Sequence, residues 1–96
     1  MLWKPTGLPP GVRRLRTALR ASFRMEGVSI LCLPHEMEPN EWDVIMTVQR
    51  ELVNGLVGEE EIAYPLKESE VSEHRNEIMQ LFGAWLQHIM EDDFVE

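Results

Sequence analysis

VSILCL, at residues 28–33, is the stretch that decides the fold class. This short apolar run includes β-branched residues, is bounded by Gly27 and Pro34, and is too short to form a helix of its own. We therefore predict a buried strand, which makes the protein α+β. Cys32 lies inside the run, where burial raises the pKa of a thiol, so we expect a small core residue rather than a nucleophile.

The residues before this run have the periodicity of an amphipathic helix over about 12–25. Apolar residues recur at spacings of three and four, at Val12, Leu15, Leu19 and Phe23. At about 100° per residue, four arginines fall within a sector of about 80° roughly opposite this stripe. We call them the arginine ridge: Arg13, Arg16, Arg20 and Arg24.

Three further elements are predicted after the run. Asn40 is a good N-cap for a second helix over about 41–55, whose apolar face would contain Ile45, Val48, Leu52 and Leu56. Residues 62–66 form a second short strand, which Pro65 confines to a sheet edge. A third helix over about 69–90 has an apolar band wider than a normal stripe, which indicates cover on two sides.

These elements predict a mainly helical α+β fold with three helices, at 12–25, 41–55 and 69–90, and one or two strands, at 28–33 and 62–66. A helix that joins the two strands is typical of a parallel crossover unit. An all-α bundle is the alternative, because a two-stranded sheet is a thin basis for a fold.

Length and local composition predict the domain organisation. A chain of 96 residues has the size of one domain, which we place at residues 12–96. Residues 1–11 contain three prolines and two glycines, so they form an arm rather than a helix. Because Leu2, Trp3 and Leu8 are apolar, we expect this arm to pack along a surface.

Charge is distributed unevenly along the chain. Six of the nine lysines and arginines lie in the first 24 residues, whereas Glu26 is the first of 17 acidic residues. The net charge of −8 disfavours nonspecific binding to a polyanion. A single cysteine excludes an intramolecular disulfide, and the chain shows no signal-peptide core, so we expect a cytoplasmic protein without membrane contact.

No group of residues specifies a reaction. His35 and its acidic neighbours lack a zincin pattern because Pro39 stands where a second histidine is needed, and His74 and His88 are 14 residues apart on one helix. Neither a phosphate-binding glycine motif nor a nucleophile elbow is present. We therefore predict no catalytic, cofactor-binding or metal-binding residue.

The predicted function is a non-enzymatic protein-interaction module, such as a small adaptor, inhibitor or assembly subunit. Its basic contacts would come from the arginine ridge. Its apolar contacts would come from Trp3, Leu8, Trp85 and Ile89. A nucleic-acid-contacting protein that uses the ridge and an acidic inhibitor that mimics phosphates are the alternatives. A further alternative is that the ridge contacts the protein's own acidic residues, and the wide apolar band of the third helix predicts self-association.

Overall fold

Two helices pack on one face of a three-stranded antiparallel sheet. The computed structural model describes residues 8–38, 40–51 and 55–92. The elements in chain order are α1 at Pro10–Ser22, β1 at Val28–Pro34, β2 at Glu41–Glu51, β3 at Val57–Lys67, a single 3-10 turn at Glu68–Glu70, and α2 at Val71–Asp92. Neither α1 nor α2 is long and apolar enough to cross a bilayer.

The sheet is a meander with the strand order β1-β2-β3. Met46 of the central strand lies opposite Ile30 on one side and Ile62 on the other. Because side chains alternate along a strand, this register places the even-numbered residues of all three strands on one face. Both helices cover that face, and the described residues leave the opposite face uncovered.

The core forms between the helices and the even-numbered face. Its fully or nearly fully buried side chains come from every helix and strand: Val12, Leu15, Leu19, Ile30, Cys32, Val44, Met46, Val48, Leu66, Val71, Ile78, Phe82 and Leu86. These side chains form one cluster. The fold is therefore a two-layer arrangement, with the helices on one side of the sheet.

The predicted three-helix fold is wrong, because residues 41–51 form a central strand and not the predicted helix over 41–55. The buried residues of this strand alternate at Val44, Met46 and Val48, which is the period of a sheet. With this strand in the middle, all neighbours are antiparallel, so the predicted parallel crossover is wrong as well. The all-α alternative fails for the same reason.

The other elements agree with the sequence in kind and differ in their ends. The first helix starts earlier than predicted, at Pro10, because a proline at the first helical position removes only an N–H that would lack a partner. Two residues of the predicted arm, Pro10 and Gly11, thus belong to α1, and residues 1–7 lie outside the described residues. The predicted strand over 62–66 is the second half of the longer β3.

Gly27 is required where the chain turns into β1. Its φ is +86°, and a Cβ added there would lie 2.7 Å from the carbonyl oxygen of Gln49. Gly55 has the same φ, but no described atom lies within 4 Å of its added Cβ. The two glycines therefore share a backbone conformation and differ in the space around them.

Replacing Gly27 with alanine is expected to lower the free energy of unfolding by about 3 kcal/mol, because strain at positive φ adds to a clash with backbone. Gly55→Ala is the matched control and should cost about 1–2 kcal/mol, from the φ alone. Urea unfolding of both variants measures the difference. Equal losses would show that the close approach to Gln49 does not restrict position 27.

Candidate functional site

A groove separates the C-terminal half of α1 from the outer edge of β1. Its volume is ≈ 730 Å³, and its lining includes Arg20, Arg24 and the backbone edge at Val28 and Ile30. The groove exists because α1 packs its apolar stripe on the sheet while the turn after it leads directly into an edge strand. Two members of the predicted arginine ridge thus lie beside an edge strand.

The arginine ridge lies along a flank of α1 rather than opposite the buried stripe, because the two are centred about 100° apart around the helix. Arg13, Arg20 and Arg24 are exposed, and Arg16 is half-buried. The guanidinium of Arg20 donates a hydrogen bond of 3.0 Å to the carbonyl oxygen of Ile30 in β1. Arg13 donates one of 3.1 Å to the carbonyl oxygen of Leu8, and the buried Nε of Arg16 has no hydrogen-bond partner among the described residues.

The protein's own carboxylates do not neutralise the ridge within the described part of the chain. Ion pairs there include Arg50 with Glu60 at 3.0 Å and His74 with Glu77 at 3.1 Å. No ion pair joins a ridge arginine to a described carboxylate. The ridge therefore presents positive charge at the surface of a protein that is acidic elsewhere.

The hydrogen-bond pattern shows which backbone groups of β1 are directed outward. The N–H of Gln49 donates to the Gly27 carbonyl at 2.8 Å, and the N–H of His35 donates to the Glu41 carbonyl at 2.9 Å. Since antiparallel pairing alternates, the odd-numbered residues of β1 bond to β2 and the even-numbered residues are directed to the outer edge. The bond from Arg20 to Ile30 agrees with this assignment.

The two edges of the sheet differ in how well they are protected from pairing with another strand. In β3, the residues whose backbone groups are directed to the outer edge of the sheet include Pro65, which has no N–H, and the charged Glu59 and Glu61. Proline and charge are the usual means by which an edge strand avoids pairing with another chain. At the outer edge of β1, the Val28 N–H bonds to the Met25 carbonyl at one end and Pro34 has no N–H at the other, and between them Arg20 covers the Ile30 carbonyl.

Cys32 is a core residue on the helix-covered face of β1. It is 7% exposed. Burial raises the pKa of its thiol, and the positive charges of Arg16 and Arg20 oppose this increase only in part. The predicted direction of the pKa change is confirmed, and the thiol lacks the thiolate character that a nucleophile needs.

The histidines make local contacts. The Nδ1 atom of His35 accepts a hydrogen bond of 3.1 Å from the N–H of Met37 within a loop. The Nδ1 atom of His74 lies 3.2 Å from the Tyr64 hydroxyl, and burial together with the charge of Glu77 raises the pKa of that phenol. No group of three or more potential ligands in the described ranges is arranged to hold a metal ion.

The predicted apolar contact residues are mostly part of the domain's own packing. Leu8 and Trp85 are half-buried and pack against the core, and Ile89 is buried. Trp3 lies outside the described residues. The wide apolar band of α2 is explained by its contacts with both α1 and β3, so it does not by itself call for a second copy.

Exposed apolar side chains lie instead on the uncovered face of the sheet. Leu31 and Leu33 are 45% and 46% exposed, and Ile45 lies directly across from Leu31. This surface was not predicted from the sequence. Its signal is present in the alternation of VSILCL, which directs Leu31 and Leu33 away from the face that contains Ile30 and Cys32.

Comparisons with protein-family models, with curated proteins and with solved structures found no match to this chain. No activity can therefore be transferred from a relative. The geometry and charge of the groove between α1 and β1 are the features of this protein that indicate a function.

Proposed function

We propose that this protein is a non-enzymatic interaction module that binds an acidic region of a protein partner through the groove between α1 and β1. One observation supports this most directly: Arg20 and Arg24 of the arginine ridge line the groove and pair with no described carboxylate. Guanidinium groups bind carboxylates in a bidentate manner, so an acidic partner fits this surface.

The uneven charge of the chain supports the same surface. The net charge of −8 repels an acidic partner from most of the protein, whereas the groove and ridge attract it. The long-range field thereby orients the partner toward α1. Such complementarity contributes more to association rate and orientation than to affinity.

The groove has the chemistry of a binding surface. The charged side chains in its lining are Arg20, Arg24 and Glu26. Thr17 and Ser29 supply the hydroxyl groups of the described lining, which contains no histidine, and the adjacent Cys32 is buried, which raises the pKa of its thiol. In the described lining, no nucleophile has an adjacent base, and no pair of groups is arranged for acid–base catalysis.

The acidic alternative receives less support. A phosphate mimic needs its carboxylates on one surface. In β3, Glu59 and Glu61 are directed to the uncovered face of the sheet, whereas Glu60 bonds to Arg50 on the opposite face. The consecutive glutamates of β3 thus lie on two faces, and we do not propose mimicry.

Reversing the charge at the groove is expected to lower the affinity for an acidic probe. The probe is a fluorescein-labelled oligoglutamate of 20 residues, measured by anisotropy at low salt. Arg24→Glu, which breaks no hydrogen bond among the described residues, should weaken binding about tenfold, and Arg20→Glu with Arg24→Glu about a hundredfold. The variants are first checked by urea unfolding.

Arg14→Glu is the matched control, because Arg14 is exposed on the same helix but does not line the groove. This variant should change the affinity less than threefold. An equal loss in the control, or no binding of the probe to the unaltered protein, would contradict the proposal. Tighter binding of a 20-nucleotide single strand than of oligoglutamate would support the nucleic-acid alternative instead.

A further inference from the structure

We propose, as a step that depends on the proposed function, that the partner contributes an extended acidic segment that adds as a fourth strand to the outer edge of β1. Arg20 acts as a latch on this edge. It covers the Ile30 carbonyl in the free protein and moves to a carboxylate of the incoming strand. The occupant of the groove is therefore a β-strand in which acidic and apolar residues alternate.

The backbone of β1 offers unused hydrogen-bonding groups for such a strand. The register directs the N–H groups of Ile30 and Cys32 outward, and neither donates to a described residue. The side chains of these residues pack under the helices, which leaves the residues only 2% and 7% exposed, and no other strand lies beside their outer edge. An added strand would supply carbonyl acceptors for these two N–H groups.

The latch explains why the incoming strand must be acidic. The Arg20 guanidinium lies 3.0 Å from the carbonyl oxygen of Ile30, so the carbonyl cannot accept from a new strand while this bond persists. The guanidinium of Arg20 can form two parallel hydrogen bonds to a carboxylate and gains the attraction of opposite charges, neither of which the neutral Ile30 carbonyl provides. A carboxylate beside Arg20 thus favours release of Ile30 and opens the edge.

The two faces of the sheet determine the pattern of the strand. Side chains of an added strand that are directed toward α1 would meet Arg20 and Arg24, which favours acidic residues there. Side chains directed to the uncovered face would extend the apolar surface of Leu31 and Leu33. Alternation of glutamate with valine satisfies both faces.

A second copy of this protein fits the edge less well. Pairing of β1 with β1 of another copy would bring two arginine ridges together, and like charges across such an interface are destabilising. Pairing with β3 of another copy would meet Pro65, whose missing N–H interrupts the outward side of that strand. We therefore assign the edge to a strand from a different protein.

The test uses the full chain and an acetylated, amidated peptide of seven residues in which glutamate and valine alternate. Binding is measured by calorimetry, and exchange of the Ile30 and Cys32 amides is measured by NMR. We expect the peptide to slow exchange of both amides at least about tenfold. A version N-methylated along the edge that faces β1 should bind at least about tenfold more weakly, since it cannot pair.

A second peptide, with glutamine in place of glutamate, tests the latch. It should bind the unaltered protein about tenfold more weakly than the acidic peptide, and Arg20→Gln should remove most of that difference. Arg14→Gln, outside the groove, should leave the difference unchanged. A difference that persists in Arg20→Gln would overturn the role of Arg20.

Failure of strand addition is distinguishable from failure of the proposed function. If the acidic peptide binds without protecting the two amides, and its N-methylated version binds equally well, strand addition is overturned while recognition of acidic partners stands. If neither the peptide nor oligoglutamate binds, both proposals are overturned. Protection of the amides together with loss of binding on N-methylation supports strand addition.

Discussion

Val44→Asp is expected to unfold the protein. Val44 is fully buried in the central strand, and its neighbour Met46 is equally buried on the same face. The substitution removes about 1.5–3 kcal/mol of apolar burial and places a carboxylate where no partner is available, which costs several kcal/mol more. This sum is comparable to the whole stability of a domain, about 5–15 kcal/mol. Circular dichroism and urea unfolding report the loss directly.

Ile45→Asp is the matched control, because Ile45 is the next residue and lies on the uncovered face of the sheet. We expect it to cost only about 1–2 kcal/mol and to leave the protein folded. The predicted helix over 41–55 requires the opposite order, since its apolar face contains Ile45 and Val48 but not Val44. A folded Val44→Asp protein together with an unfolded Ile45→Asp protein would contradict the strand.

The central strand was mispredicted because its sequence fits two periods. Ile45 and Val48 satisfy the three-residue spacing of a helix, and Asn40 satisfies the preference for an N-cap. The even-numbered residues from Trp42 to Val48 satisfy a period of two equally well. β-Branched and aromatic residues favour the strand, and pairing with β1 and β3 on both sides stabilises it.

The turn that follows the central strand contained a local signal for the correct topology. Asn54-Gly55 between two apolar runs is typical of a hairpin, and Gly55 has the positive φ that such a turn requires. The predicted helix over 41–55 instead uses Gly55 or Gly58 as its end. An Asn-Gly pair therefore had more predictive value here than the capping residue at Asn40.

The candidate site was predictable in part. Periodicity alone identified the arginine ridge, because one helix determines which of its residues share a face. The groove requires β1 to be an edge strand beside α1, and this follows from the strand order rather than from any local pattern. Because residues 41–51 form a strand, β1 pairs with β2 on one side only and has no parallel partner. Its free edge lies beside α1. The error in the central strand thus concealed the site.

The width of the apolar band on α2 was correctly identified, and its cause lies within the domain. α2 contacts α1 on one side and β3 on the other. Gly83 of α2 lies beside the Phe23 ring, just after α1, and a Cβ added there would be in ordinary van der Waals contact with the ring at 3.8 Å. α2 thus packs against both α1, which borders the groove, and β3, at the other edge of the sheet. Phe82, near the middle of α2, is fully buried.

Phe82→Ala is expected to lower the free energy of unfolding by about 3–5 kcal/mol. The ring is 0% exposed and is among the largest fully buried side chains, so its removal loses apolar burial and leaves a cavity that the two helices and the sheet fill only in part. The midpoint of urea unfolding should fall, while the slope stays close to that of the unaltered protein.

Leu81→Ala is the matched control, because Leu81 is the preceding residue of α2 and is 41% exposed. Its loss should cost about 1 kcal/mol or less. Because α2 buries its side chains against both α1 and the sheet, Phe82→Ala should also weaken the packing that holds α1 over β1. Exchange of the Leu31 amide, which the register pairs with Ile45, should then become faster in Phe82→Ala but not in Leu81→Ala. Equal stability losses in the two variants would contradict the assignment of Phe82 to the shared core.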